Sequence, residues 1–347
     1  MVYDESSTKK RKGNPGYLFG ELAVGFIRTI RKKLTSRPIA ATDAVFDTGE
    51  FLDKTLRLTD PFIREHALNV IQQGYTIVPN AVNLDLIDAA NESYTAWKAR
   101  NRKNFIPDFY KSGERLDRVV NLQAYLPEFR RLFSANRSLA VQDYLFQQQT
   151  VLYTSLFFEI GSTQDIHRDI PLFWTNPANM YFGTWTALEA ADEDNGPLVV
   201  VPGSQRLPLL DRDAIARQKH SNLADIKSID DDLWGLYQSK IASLCAQHGL
   251  TPQTVPVNKG DTLIWHPLLV HGGAKIRDVQ RTRRSLVVHT IPKDVGVYQS
   301  DVFFNVNRKV NKQVRGQYIT VDDRLLTEYN SLSIGHSHES FDFSQLR

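Results

Sequence analysis

The chain has a single cysteine, Cys245, among its 347 residues. One thiol excludes a disulfide framework and a thiolate-held metal cluster, so a bound metal needs His, Asp or Glu. Long apolar runs are missing as well, and none reaches the ~18 residues that span a bilayer. The N-terminus shows no apolar h-region followed by a small-residue cleavage site, so a cytoplasmic location is the expectation. There is no internal repeat and no low-complexity segment. The rest is ordinary globular composition, 41% hydrophobic and 23% charged, in a chain long enough to bury a large core.

Charge is unevenly placed. Residues 1–40 hold nine basic groups against three acidic ones, which leaves 33 basic and 36 acidic in the remainder. The body is therefore not a nucleic-acid surface by composition. Residues 1–16, with the Lys9–Lys12 run and Asn-Pro-Gly at their end, read as a disordered leader. In residues 17–34, Phe19, Leu22, Ala23, Phe26, Ile27, Ile30 and Leu34 recur at helical spacing, with Arg28 and Lys32 opposite. That amphipathic helix either packs on its own domain or makes peripheral contact with an anionic membrane.

Residues 35–58 look irregular. A helix is predicted from Thr59, with Asp60 and Pro61 at its start and Gly74 at its end, followed by a YTIVP strand. Further helices are predicted from about Asn83 to Arg100, over Leu126–Phe133 and over Ser138–Gln148. From Thr150 short strands take over: VLYTSLFFEI, DIHRDI, YFGTWTAL, PLVVVPG, QTVPV, DTLIWH and SLVVHTI. Asn195-Gly196 reads as a hairpin turn before PLVVVPG, and residues 211–250 as a helical insertion. The fold class is thus α+β with a mainly β core, a jelly roll or cupin-like double-stranded β-helix. Residues 1–50 form the leader. Residues 51–347 form one domain, with a helical part over 51–149 and a β core over 150–300.

His167 and Asp169 lie two apart, so on a strand both would face one side. They are two-thirds of a 2-His-1-carboxylate iron site, which leaves coordination positions open for chemistry. His271, expected at a strand end beside a Gly-Gly turn, is the natural third ligand. Alternation then puts Arg283, Ser285, Val287 and His289 on one strand face and Arg284, Leu286 and Val288 on the other. A guanidinium with a hydroxyl two residues on makes a cradle for a carboxylate, which favours Arg283 over Arg284. Trp265, His266 and His289 read as core residues or supports behind the ligands. His66, His220, His248, His336 and His338 have no metal spacing, Asp192, Glu193 and Asp194 look like a solvated hairpin tip, and Cys245 is expected to be buried.

The motifs HPLLVHGG, the RRS strand start and WTALEAADEDNGPLVVVPGSQR resemble the phytanoyl-CoA dioxygenase family of Fe(II)/2-oxoglutarate oxygenases, over roughly residues 150–292. The resemblance implies Fe(II) on His167, Asp169 and His271, with O2 as oxidant. It also implies 2-oxoglutarate anchored by Arg283, Trp185 lining that side of the pocket, and a hydrogen bond from Tyr153 or Thr154. The family's Gly-Ser-x-x-Asn loop after the distal histidine is here Gly-Gly-Ala-Lys-Ile-Arg, and the gap to Arg283 is about one residue long. Arg281 and Arg284 therefore stay open as anchors. Asp169 stands where halogenating relatives have a small residue, so hydroxylation of an unactivated C–H is the implied reaction. The substrate is a small molecule, lipid-like or a sugar, and Lys275, Arg277 and Arg281 offer a basic groove for an acyl-CoA. A cupin-like binding protein without catalysis and a membrane-associated oxygenase acting on a glycolipid or macromolecule are the alternatives.

Overall fold

The computed structural model describes residues 44–308, 317–335 and 340–342. The expected helix over 17–34, the Lys9–Lys12 run, His336 and His338 lie outside the described residues.

Order begins inside the stretch expected to be irregular. Phe46 is fully buried, and α1 (Gly49–Leu56) starts where the Thr48 side chain accepts from Phe51 N, with Phe51, Leu52 and Thr55 turned inward. Polar residues between those inward positions obscured the helical period. Helix α2 (Pro61–Gln73) keeps its expected ends: the Asp60 carboxylate accepts from Ile63 N at 3.1 Å, Pro61 occupies the first turn, and Gly74 follows the last. Helices α3 (Leu84–Asn101), α4 (Pro127–Ser134) and α5 (Ser138–Phe146) complete the upstream part.

Eight strands carry the core: β1 (Tyr75–Val78), β2 (Thr150–Phe158), β3 (Phe182–Ala187), β4 (Leu198–Val201), β5 (Gln253–Val255), β6 (Thr262–Trp265), β7 (Val270–Gly273) and β8 (Ser285–Pro292). The larger sheet runs β1-β6-β3-β8-β2 and continues through short strands at Arg118–Val120 and Ser331–Ile334. The smaller one runs β7-β4-β5. Trp185, Leu263, Trp265 and Val287 of the larger sheet meet Leu198, Val200 and Val255 of the smaller in one core cluster, so the sheets pack face to face. The outer face of the larger sheet is covered by α3 and α4 through Tyr94, Trp97 and Phe129, and by α1, α2 and α5 through Phe51, Val70 and Leu145. Both faces of β8 are consequently covered and all eight of its residues are buried. Burying each apolar side chain there contributes about 1.5–3 kcal/mol.

The helical insertion holds α6 (Asp231–Gln247), whose Asp230 carboxylate accepts from Leu233 N at 3.1 Å. It packs Leu233, Tyr237, Ile241 and Cys245 against Tyr181, Val201 and Val270, and Cys245 is buried as expected. Asn195-Gly196 closes no hairpin between paired strands, because β3 and β4 belong to different sheets. Asn195 is instead buried, and its amide donates to Ala190 O at 2.9 Å and Thr282 O at 3.2 Å. It braces a crossing.

Gly183, opposite Trp265 on β6 and His289 on β8, is a forced glycine: a Cβ there would lie 1.9 Å from the Trp265 ring. Replacing Gly183 by Ala is expected to destabilise the protein by about 1–3 kcal/mol through overpacking. A urea midpoint equal to that of the unchanged protein would contradict this packing.

Candidate metal centre and the cradle beside it

Residues 165–170 form no regular strand. His167 makes one isolated bridge to His271, with His167 N to His271 O at 2.7 Å and His271 N to His167 O at 3.0 Å. His271 lies inside β7 rather than at its end. The glycines that follow it stay in the strand, paired with Val199 and Leu198 of β4. Their role is close approach: a Cβ on Gly272 would sit 2.7 Å from Gln164 O. Glycine there lets the 162–165 segment lie against β7, and this contact, not strand alternation, brings the two histidines together.

His167, Asp169 and His271 are all buried and present ligand atoms that lie within 4.8 Å of one another. His167 Nδ1 donates to Asp165 O at 2.7 Å and His271 Nδ1 to Leu269 O at 3.1 Å. Carbonyls accept only, so each Nε2 keeps its lone pair. These Nε2 atoms stand 3.3 and 3.4 Å from the two oxygens of Asp169. Two ring nitrogens and a carboxylate thus converge on one buried point, and a divalent cation between them would satisfy all three. The residues fit an iron-type facial site.

Burial alone would raise the Asp169 carboxyl. His271, His167 and His289 outweigh it and hold the group well below the usual carboxylate range. His289 Nε2 lies 3.1 Å from Asp169 Oδ2, and its ring stacks on Phe173 at 3.7 Å with 10° between planes. Trp265 packs on His271 with ring centroids 4.6 Å apart. His266 is fixed elsewhere: its Nδ1 accepts from Leu268 N and its Nε2 donates to Asp47 at 3.0 Å.

The three arginines of the RTRRS run differ sharply in environment. Arg281 is paired with Asp192 through two bonds of 2.9 and 2.7 Å. Arg284 reaches Glu189 at 3.6 Å and Glu159 at 3.9 Å. Arg283 is fully buried, donates to Ser285 Oγ at 3.0 Å, and makes no ion pair among the described residues. Desolvation pushes its guanidinium down to about 10, against the pull of Glu189, and it remains charged at neutral pH. Its Nε has no acceptor, and neither has the Nε1 of Trp185, whose ring lies 5.2 Å from the Arg283 guanidinium carbon. Two orphaned donors beside an uncompensated buried cation fit an anionic guest. The expected face of β8 is also as drawn, since Val287 enters the inter-sheet core while Leu286 and Val288 join the α3–α4 cluster.

Tyr153 and Thr154 are the remaining candidates. Tyr153 meets Phe173 edge-on at 6.4 Å, and Thr154 Oγ1 donates to Asn121 Oδ1 at 2.8 Å. The acidic tip is not simply solvated, since Asp192 holds Arg281 and Glu193 lies 3.8 Å from Arg277. Two of the three cations of the supposed acyl-CoA groove are thereby neutralised.

Sequence reasoning passed over two residues. Lys111 is exposed, and its amine donates to Gly161 O at 3.1 Å. Desolvation lowers its amine, Asp117 opposes the shift, and repulsion from Arg283 and Arg118 adds to it. Trp234 of α6 lies over His167 with ring centroids 5.7 Å apart. Neither has a local sequence signal, because each reaches the site through a different part of the chain.

A sandwich of this topology with two histidines and an aspartate converging on one point defines the class of Fe/2-oxoglutarate oxygenase folds. The family model for phytanoyl-CoA dioxygenase matches residues 71–285, and the chain belongs to that family. Peroxisomal phytanoyl-CoA dioxygenase of Rattus norvegicus is 30% identical over 135 residues, 37% of this chain and 33% of that one. The probable phytanoyl-CoA dioxygenase of Caenorhabditis elegans is 27% identical over 172 residues, 49% of this chain and 48% of its own. The match thus spans about a third to a half of these curated relatives. Among solved structures, the non-heme alpha ketoglutarate dependent epimerase SnoN from nogalamycin biosynthesis superposes with a TM-score of 0.51 at 19% identity, covering 76% of this chain and 97% of SnoN. The carbocyclase SnoK from the same biosynthesis gives 0.52 at 17%, covering 76% and 96%. These likenesses show the double-stranded β-helix fold.

Adding Co(II) to metal-stripped protein is expected to raise its melting temperature, with about 2.7 kcal/mol of stabilisation at a hundredfold excess over Kd. Asp169→Asn should remove most of that rise. A wild-type melting curve indifferent to metal would contradict the site.

Proposed function

We propose that the chain is a non-haem Fe(II)- and 2-oxoglutarate-dependent dioxygenase that hydroxylates an unactivated C–H of a small molecule. The single observation that carries this is a pair of unfilled needs around one inter-sheet core: a cation-seeking His167–Asp169–His271 set packed on Trp265 and an anion-seeking Arg283 packed on Trp185.

In this reading His167, Asp169 and His271 hold Fe(II) and leave the remaining positions to 2-oxoglutarate and O2. The bound iron with its co-substrate and O2 supplies the oxidising chemistry. Arg283, steadied by Ser285, takes the far carboxylate of 2-oxoglutarate, and the unpartnered Trp185 Nε1 gives a further hydrogen bond. Lys111 adds positive charge to the same side. The carboxylates that Arg281 and Arg284 already engage favour Arg283 over them as the anchor. His289 holds Asp169 in the orientation the metal needs, and its stack on Phe173 fixes the ring that does so.

Trp234 and Phe173 flank the metal set, both partly exposed. They favour an apolar or ring-bearing substrate, lipid-like or a sugar, held by contact area and exclusion of water. The paired states of Arg277 and Arg281 argue against a CoA thioester gripped by charge at that groove. Tyr153 belongs to the substrate side through Phe173, whereas Thr154 is committed to Asn121. Among the described residues no helix is long and apolar enough to cross a membrane.

Anaerobic titration of the Fe(II) protein with 2-oxoglutarate is expected to produce a weak metal-to-ligand charge-transfer band. Arg283→Met should raise the 2-oxoglutarate Kd by roughly 10- to 150-fold, the equivalent of about 1.5–3 kcal/mol for a hydrogen bond to a charged group. Absence of the band at saturating ligand would leave a cupin-like binding protein as the reading.

A further inference from the structure

Helix α6 of the insertion reaches the metal-ligand segment with a specific grip. Gln238 is buried, its Oε1 accepts from Arg168 N at 2.9 Å, and its Nε2 donates to Arg168 O at 3.0 Å. His167 is bridged to β7, and at the next residue a side-chain amide takes both backbone groups of Arg168 as a neighbouring strand would. It does so at the one residue between two metal ligands, His167 and Asp169. The Arg168 side chain, also fully buried, runs the other way and donates to Ser204 O at 2.6 Å. Ser204 Oγ in turn accepts from Val270 N at 2.8 Å, next to the third ligand His271. A continuous chain of hydrogen bonds therefore links α6 to both ligand-bearing segments from behind. Trp234 lies one helical turn before Gln238, so the same face of α6 carries the ring over His167 and the amide behind it.

We infer that Gln238 is a positioning residue for the metal set. It fixes the backbone from which His167 and Asp169 project, and through Arg168 and Ser204 it ties that backbone to His271. The inference rests on the metal reading above, and it makes the insertion part of the site rather than an ornament on the sandwich. The amide needs both its functions, one to accept and one to donate. Gln238→Met keeps length and apolar volume but has neither, and it leaves a buried N–H and C=O unpaired. Gln238→Glu keeps the acceptor and loses the donor.

The test is Co(II) affinity, read from the visible d–d absorption of the full-length protein, alongside the urea midpoint of each metal-free variant. Gln238→Met should weaken Co(II) binding about tenfold or more, the range found when partners behind metal ligands are removed, and should alter the band shape. Gln238→Glu should fall between it and the wild type. Ile241→Val, a buried change on the same helix with no hydrogen bond to the ligand segment, lowers the urea midpoint and should leave the Co(II) Kd within about twofold. Wild-type affinity in Gln238→Met overturns the inference, as does an equal loss in Ile241→Val, which would make the effect one of general stability. Should Gln238→Met fail to fold, Gln238→Glu is read in its place, and wild-type affinity there overturns the inference equally. A wild-type protein that binds no Co(II) overturns the metal reading itself and this inference with it.

Discussion

Two reciprocal backbone hydrogen bonds between His167 and His271 are the constraint on which the site depends. They join segments that are distant in the chain and belong to no common ladder. Each bond is worth only about 1 kcal/mol net, so the pair would not hold alone. It is kept by what surrounds it: the glycines that admit the 162–165 backbone, Trp265 against His271, and the hydrogen bonds reaching Arg168 and Val270 from behind. The metal geometry is a property of this packing, and the ligand side chains only complete it.

The second organising fact is the placement of opposite charges at separate points around one inter-sheet core. Asp169 is buried among three histidines, and Arg283 is buried without a carboxylate partner. An unpaired buried ion costs several kcal/mol even after relaxation. The double cover on β8, with helices outside and the smaller sheet inside, supplies the apolar burial that offsets such a cost. The rigidity of that cover is also what keeps an arginine extended into the barrel instead of folding out to water.

Much of this was legible in the sequence. The jelly-roll class followed from short strands with turn signals, and family membership from the HPLLVHGG and WTALE stretches. Period-two alternation on β8 separated Val287 from Leu286 and Val288, as their core clusters do. The legible features are those set by local periodicity. What was not legible depends on contacts between distant segments. The DIHRDI stretch has the composition of a strand but is bridged to β7 at His167 alone, so it stays irregular. Asn195-Gly196 has hairpin chemistry, yet its two strands part into different sheets and Asn195 is drawn inward. The helical α1 was hidden because polar residues alternate with its buried ones. Gln238, Trp234 and Lys111 carry no local pattern at all.

The edge of β2 is closed by two short strands from opposite ends of the chain. Arg118–Val120 pairs with Leu156–Phe158, while Arg324–Thr327 touches Leu152 in parallel. Every ligand and the anion cradle lie before that second strand. The cover over that flank of the sheet is therefore split between a strand upstream of the whole site and one downstream of it, and without the downstream strand part of the β2 edge would stand open.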